Sequence, residues 1–327
     1  MQVGFCIPMN DSWSAAIAGI ESGLAGKARL VKGVQETLAQ FSELDAVVAN
    51  PLDVSYFERS TRLKALFVPF VGVNHLPAEL LLERGVAVFN CHGNAESVAE
   101  RALAMTLAGF GRIIEFHNDL RQGIWHGFWV NKGREDFWHS IFRKRCTILG
   151  AGAIGQSLAG LLKAFGCSVA GYRRKQSAPL PPGFDTMSAD LVQAVTGAEI
   201  VFVTLPLTEL TRGLVDAHVL SAMKGAYLVN VGRGDVVVEA DLYQALVDGT
   251  LSGAALDVWY TYPEKGCTEG WPSRFPFHEL PNVVLSPHVA GSTHEAVDMN
   301  VIQTVENVQR WVLTGDARHR VDLNASY

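Results

Sequence analysis

The sequence predicts an α/β protein of two lobes, each a parallel sheet flanked by helices. Three observations point there. Short β-prone runs alternate with amphipathic stretches along most of the chain, the pattern that builds parallel sheets with helices on their faces. At 327 residues the chain exceeds what one core normally organises. Near its middle, Thr147-Ile148-Leu149-Gly150-Ala151-Gly152-Ala153-Ile154-Gly155 joins a buried-strand pattern to three spaced glycines.

In the first lobe, residues 3–7, 46–49, 66–68 and 86–89 read as strands separated by amphipathic or polar stretches. A long helix is then expected from residue 97 to about residue 120. Ser97-Val98-Ala99-Glu100 fits a capping box, in which the serine caps and the glutamate reaches back. Val98, Ala102, Met105, Gly109, Ile113 and Phe116 give that helix an apolar stripe. Between residues 121 and 145 the periodicity dissolves. Trp125, Phe128, Trp129, Phe137 and Trp138 crowd into a connection that also holds Gly123, Gly127 and Gly133. Packing against a second subunit, giving a homodimer, is one reading of this segment; an Ω-loop lying on its own domain is the other.

The glycine string follows. Glycine at its first position permits a tight turn, at its second removes the side chain that would block a phosphate, and at its third lets helix pack on strand. Residues 156–165 continue at helical spacing, Gly166 sits where a C-cap glycine belongs, and Ser168-Val169-Ala170-Gly171-Tyr172 completes a βαβ unit. Gly150, Gly152, Ala153, Ile154 and Gly155 are therefore expected to hold a dinucleotide pyrophosphate at a helix N-terminus, making this lobe Rossmann-like. NAD-type sites carry an acid about 20 positions on, for the ribose 2′-hydroxyl. Here the second strand runs into Arg173-Arg174-Lys175 instead. A guanidinium suits a 2′-phosphate, so NADP(H) is preferred and NAD(H) possible; a solvated basic loop is the alternative.

Strands are expected again at residues 200–204, 227–231, 253–257 and 283–286. A final helix, 292–314, has Val297, Val301, Val305, Val308 and Val312 on one face and can return to the first lobe. The expected division is 1–96 plus 289–327 for a substrate lobe, Rossmann-like or flavodoxin-like, and 97–288 for the dinucleotide lobe. The active site is expected in a cleft where strand C-terminal ends converge.

Composition narrows the function. A net charge of −6 argues against a nucleic-acid partner, which needs a basic face. The apolar stretches are strand-length, short of the roughly 20 residues of a membrane span, and the N-terminus lacks a signal-peptide pattern. Five scattered cysteines without a CxxC pair suit reduced thiols in a cytoplasmic protein. Cys91 beside His92 invites a nucleophile reading, but a buried inert thiol fits its strand-end position better. No metal is expected.

Further motifs follow the glycine loop in order: Leu205-Pro206-Leu207-Thr208, then Val229-Asn230-Val231-Gly232-Arg233-Gly234, then Ala255-Leu256-Asp257-Val258-Trp259, then Ser286-Pro287-His288-Val289-Ala290-Gly291. With them the chain, from about Leu63 onward, resembles the D-isomer-specific 2-hydroxyacid dehydrogenase family. The resemblance implies hydride transfer between a nicotinamide cofactor and a small 2-keto or 2-hydroxy acid. It makes Arg233 the arginine that binds carboxylate and polarises the keto oxygen, and His288 the acid/base. An arginine between glycines can also bind its own chain, and a histidine beside proline can be a satisfied loop residue. The resemblance further assigns Val71 and Gly72 to the segment that holds the substrate carboxylate, Asn94 to the pocket wall, Asp257 to the nicotinamide carboxamide, and Pro206 and Val231 to the cofactor. Capping the loop before Ser97 is the other reading of Asn94.

One position departs from the family. Members carry a glutamate before a proline, five residues after the Asp-Val-aromatic aspartate, which holds the histidine oriented and protonated. This chain has Tyr262 before Pro263, with Glu264 and Glu279 as other candidates. Tyr262 can hydrogen-bond an imidazole but cannot raise its pKa as a carboxylate does. Reduction of a glyoxylate- or hydroxypyruvate-type acid is the expected activity. The departure leaves open a formate- or phosphite-type dehydrogenase, or a catalytically weak cofactor-binding regulator.

Overall fold

The computed structural model describes residues 1–49, 52–73, 75–174 and 179–324. The chain divides into two compact units, Met1–Asn94 with Ser292–Tyr327, and Ala95–Gly291.

The first unit contains β1 (Gln2–Cys6), α1 (Asp11–Glu21), β2 (Arg29–Lys32), α2 (Val34–Ala39), β3 (Ala46–Ala49), α3 (Val54–Arg59), β4 (Ala65–Phe67), α4 (Ala78–Glu83) and β5 (Ala87–Phe89), closed by the C-terminal helix His294–Thr314. Its strands form one parallel sheet in the order β2-β1-β3-β4-β5. Neighbouring strand residues point to opposite faces, so Val48 joins Val3, Phe5, Phe67 and Phe89 on one side while Val47 joins Leu44, Leu66 and Val88 on the other. The C-terminal helix lays Val301, Val305, Val308, Trp311 and Val312 into the first of these clusters. Val297, expected on that stripe, is 53% exposed.

The second unit is a seven-stranded parallel sheet: β6 (Arg145–Leu149), β7 (Ser168–Tyr172), β8 (Thr186–Ser188), β9 (Ile200–Val203), β10 (Tyr227–Asn230), β11 (Gly253–Leu256) and β12 (Val283–Leu285), in the order β12-β11-β10-β9-β6-β7-β8. Its helices are α5 (Ala95–Gly109), α6 (Ile113–Leu120), α7 (Ala153–Ala164), α8 (Leu191–Val195), α9 (Ala217–Ala222) and α10 (Glu239–Val247). The chain runs outward from β6 to β8 and then returns to the other side of β6 as β9. This makes the C-terminal ends of β6 and β9 the topological switch point, where such sheets bind ligands.

Two expectations need correction, and two strands were not foreseen. The helix at 97–120 is two helices. Gly109 and Gly111 weaken its interior, and a Cβ at Gly109 would meet Tyr227 Oη at 2.0 Å, so close packing on β10 requires glycine there. Arg112 then takes a left-handed φ of 54°, and α6 starts afresh with no buried residue, leaving Ile113 58% exposed. Ser97 is not the N-cap, since it already lies within the first turn of α5. Strands β2 and β8, at sheet edges and largely solvated, lack the apolar run that betrays a central strand.

The aromatic segment after α6 is pinned by charge and bare on its surface. His126 Nδ1 lies 2.7 Å from Asp136 and Nε2 2.8 Å from Asp119, and these two carboxylates, Asp136 foremost, hold its pKa above the ordinary value. Only an imidazolium donates at both nitrogens. Phe116 stacks on its ring, and Arg112, Glu115 and Lys132 complete the charged cluster. Around it Trp125, Phe128, Trp129, Phe137, Trp138 and Phe142 are between 47 and 77% exposed.

Among the described residues, no helix is long and apolar enough to cross a membrane.

Candidate active site

The residues singled out between 150 and 288 lie along one edge of the second sheet, each just beyond the C-terminal end of a strand. The glycine loop follows β6. Gly150 has a φ of +113°, and a Cβ there would lie 2.8 Å from Thr204 Oγ1, in the loop after β9. A Cβ at Gly155 would lie 2.1 Å from the Gly150 carbonyl oxygen, whereas one at Gly152 would meet nothing within 4 Å. The three glycines thus serve turn, open approach and helix packing respectively. Gly152 is also the N-cap of α7 and offers no capping side chain, so the first-turn amides, those of Ala153 and Ile154 among them, are available to an anion. At the far end Gly166, with a φ of 68°, closes α7 by donating to the Lys163 carbonyl while Cys167 donates to that of Leu162. These features fit a dinucleotide.

Arg173 and Arg174 follow β7. Arg173 Nη1 donates to the Pro179 carbonyl at 2.8 Å, and Arg174 is exposed. Lys175 lies outside the described residues. Pro206 follows β9, its carbonyl accepting the Thr211 hydroxyl at 2.7 Å. Val231, buried, donates its N–H to Val203 across β9.

Arg233 follows β10 in a turn shaped by Asn230, a residue to which the sequence reading assigned no role. Asn230 is buried, donating to the Arg233 carbonyl at 3.1 Å and accepting the Gly232 N–H at 3.1 Å. Its signal was a polar residue ending an otherwise apolar strand. The Arg233 side chain donates from Nη1 to its neighbour's carbonyl at 2.7 Å and keeps the rest of its fork, with desolvation pulling its pKa down.

His288 follows β12 with a left-handed φ of 57°, a conformation costing a non-glycine residue of order 1 kcal/mol or more. Its Nδ1 lies 2.8 Å from Tyr262 Oη, and that oxygen accepts the Trp259 backbone N–H at 3.1 Å. A phenol with one lone pair so occupied can donate to Nδ1, which leaves the neutral imidazole protonated at Nε2. It can also accept from Nδ1–H when the ring is charged. Desolvation raises the Tyr262 pKa, so it stays a neutral hydroxyl. Desolvation and then the Arg233 charge lower the His288 pKa, against an opposing pull from Asp257. Glu264 and Glu279 do not reach the imidazole: Glu264 is exposed, and Glu279 lies 3.8 Å from His278 instead.

Asp257, at the end of β11, is fully buried. Its carboxylate accepts the Ser286 hydroxyl and the N–H groups of Val289 and Ala290, so its neighbours are those of the His288 turn.

The remaining candidates belong to the first unit. Val71 accepts the Asn90 side-chain amide at 2.8 Å, next to Gly72. Asn94 has a buried Oδ1 with no hydrogen-bond partner among the described residues. Asn74, at the end of that loop, lies outside them. Cys91 is buried, with desolvation pushing its pKa up to about 11, which fits an inert thiol.

Comparison with known proteins gives concordant results. Residues 103–290 match the family model described as "D-isomer specific 2-hydroxyacid dehydrogenase, NAD binding domain". The chain is 34% identical over 300 residues to a D-3-phosphoglycerate dehydrogenase of Mycobacterium leprae, a match covering 88% of this chain and 53% of that one. It thus spans about half the length of that relative. It is 33% identical over 249 residues to glyoxylate/hydroxypyruvate reductase B of Pectobacterium carotovorum, covering 75% of this chain and 74% of the relative. Among solved structures, the NADPH-dependent glyoxylate/hydroxypyruvate reductase of Sinorhizobium meliloti, in complex with NADP and malonate, superposes with a TM-score of 0.73. That match has 26% identity and covers 99% of this chain and 97% of that one.

Proposed function

As the chain belongs to the D-isomer-specific 2-hydroxyacid dehydrogenase family, we propose that it reduces a small 2-keto acid of the glyoxylate or hydroxypyruvate type to the D-2-hydroxy acid, using NADPH. One observation carries this reading: on the sheet edge that bears the glycine loop stand a desolvated guanidinium, Arg233, and an imidazole, His288, whose Nδ1 is engaged by Tyr262. The other nitrogen is left to face a reacting oxygen.

Arg233 takes the substrate carboxylate in its fork and polarises the keto oxygen. Val71, Gly72 and Asn94, in the first unit, are proposed as substrate-binding residues on the family resemblance alone. His288 gives its proton to the keto oxygen as negative charge develops there, and Tyr262 holds the ring in orientation. The reduced nicotinamide, when bound, supplies the hydride. The glycine loop and the N-terminus of α7 hold the pyrophosphate, Pro206 and Val231 line the cofactor, and Arg173 and Arg174 read the 2′-phosphate. A phosphate-reading site draws on the reduced cellular NADP pool, hence the direction proposed.

The bare segment from α6 to Phe142 is read as the contact of a twofold homodimer. Its exposed aliphatic and aromatic side chains offer roughly 1,000 Å², against about 800 Å² per partner in a standard interface.

Steady-state NADPH consumption with glyoxylate, hydroxypyruvate and pyruvate tests the activity. Turnover of at least one is expected, and inactivity toward all would refute it. A second reading, oxidation of formate or phosphite, is favoured by the absence of a carboxylate on His288 among the described residues. NADP+ reduction by either donor in the absence of keto-acid turnover would replace the first reading with this one.

A further inference from the structure

We infer that Asn90 is a positioning residue for the loop 70–72, turning the consecutive backbone N–H groups of Val71 and Gly72 out toward a carboxylate. The inference rests on the reading of Val71 and Gly72 as substrate-binding residues. The loop lies beyond β4, and Asn90 directly follows β5, the neighbouring strand of the first sheet. Val68 still donates its N–H to the Phe89 carbonyl at 2.8 Å. Beyond that point the loop turns its carbonyls to the residues after β5. The Phe70 carbonyl accepts the Cys91 N–H at 3.5 Å, and the Val71 carbonyl accepts the Asn90 side-chain amide at 2.8 Å.

A planar trans peptide points its C=O and its N–H to opposite sides. The peptide that carries the Phe70 carbonyl also carries the Val71 N–H, and the one that carries the Val71 carbonyl also carries the Gly72 N–H. Both N–H groups are therefore turned away from Asn90 and Cys91, and neither donates to any described residue. Successive N–H groups left open on one side are what an anion takes. The Cys91 bond is at the limit of hydrogen-bond length, so the orientation of the Gly72 N–H depends on Asn90 in particular.

Asn90 is itself held. Its N–H donates to the His319 carbonyl at 3.1 Å, and its carbonyl accepts the side-chain amide of Asn307, in the C-terminal helix, at 3.4 Å. Asn307 in turn accepts the Arg318 N–H at 3.0 Å and donates to the Arg318 carbonyl at 3.1 Å. Asn90 and Asn307 are both buried. The amide that orients the loop thus starts from a backbone fixed by the C-terminal helix and the segment after it, all within the first unit.

The test uses oxamate, a keto-acid analogue that keeps the carboxylate and is not reduced, added to the NADPH-saturated protein with isotopic labels on valine and glycine nitrogens. In the wild type, oxamate should shift the Val71 and Gly72 N–H resonances downfield in NMR spectra. In Asn90→Ala the Gly72 shift should be lost and oxamate should bind about tenfold more weakly, the worth of one charge-assisted hydrogen bond. KM for the keto acid should rise about tenfold with kcat within about threefold, as for a contact made equally in ground and transition states. NADPH affinity should stay within about twofold of wild type. Oxamate affinity and KM both at wild-type values, or a kcat that falls with KM unchanged, would overturn the proposal. So would a wild type in which oxamate moves neither resonance. If Asn90→Ala does not fold, Asn90→Ser keeps a polar group one bond too short to reach the Val71 carbonyl; the same losses are expected, and wild-type values overturn the role. A wild type inactive on every keto acid, with both resonances still shifted by oxamate, would refute the proposed reaction and leave the role of Asn90 standing.

Discussion

Replacing Tyr262 by glutamate tests the chemistry at His288 most directly. The wild-type imidazole has a neutral hydroxyl as its partner, and its pKa lies below the ordinary 6.5 because of desolvation and Arg233. At pH 7.5, fewer than about one molecule in ten then carries the proton that keto-acid reduction needs. A carboxylate about 5 Å from the ring centre, at an effective dielectric constant of about 20, is worth roughly 3 kcal/mol, or about two pH units. His288 and Tyr262 are both partly exposed, so screening reduces this to about one unit. The sign is upward, since a negative charge favours the imidazolium. Near pH 7.5 the protonated fraction, and with it kcat/KM for the keto acid, should rise about fivefold or more, while little changes at pH values well below the lowered pKa of the wild-type imidazole. Profiles of kcat/KM from pH 5 to 9 for both proteins check this. Coincident profiles on a good substrate would show that Tyr262 does not govern the proton on His288.

Arg173→Asp should lower kcat/KM with NADPH by about tenfold or more, the worth of one charge-assisted contact, and leave NADH unchanged or improved; a wild type that already prefers NADH refutes the assignment. Arg233→Lys keeps the charge but loses the planar fork, so KM for the keto acid should rise strongly and kcat fall, and unchanged steady-state kinetics would remove Arg233 from the site. Sedimentation should find a dimer at micromolar concentration near pH 6. Because His126 has a raised pKa, its ion pairs are fully formed below pH 6.5 and lost as pH rises through that raised value, so association should weaken in alkali. His126→Gln should weaken it already at pH 6; a well-folded wild-type monomer there would contradict both claims.

Legibility in the sequence followed the range of the physics. Gly150, Gly152 and Gly155 were readable because their reasons are steric and local: a tight turn, an open approach and a helix pressed on its own loop within six residues. Arg233 and His288 were readable from motif context. Tyr262 was readable as a candidate partner of His288, which it meets across 26 positions. The other partners were not: Asp257 meets Val289 across 32 positions, and Arg101 meets Ser286 across 185. Whether an acid after a strand faces a cofactor or its own chain depends on such distant contacts. The break after α5 was hidden for a similar reason, since the apolar stripe runs on in sequence and only Tyr227 beneath Gly109 reveals the helix end. Edge strands β2 and β8 escaped because half-solvated strands need no apolar run.

The first unit is discontinuous: its sheet comes from the start of the chain, and the helix that seals one face of that sheet comes from the end. During synthesis, Val3, Phe5, Phe67 and Phe89 emerge about 200 to 300 residues before Val301, Val305 and Trp311 can cover them. At about 5–20 residues per second this interval is roughly 10–60 s. The second unit is continuous and can fold as it emerges, while the first waits with an uncovered apolar face. A nascent chain stalled before residue 292 should therefore be the aggregation-prone species and the one a chaperone holds. Mutations that weaken the face of the C-terminal helix should reduce yield in the cell more than they reduce the stability of the finished protein.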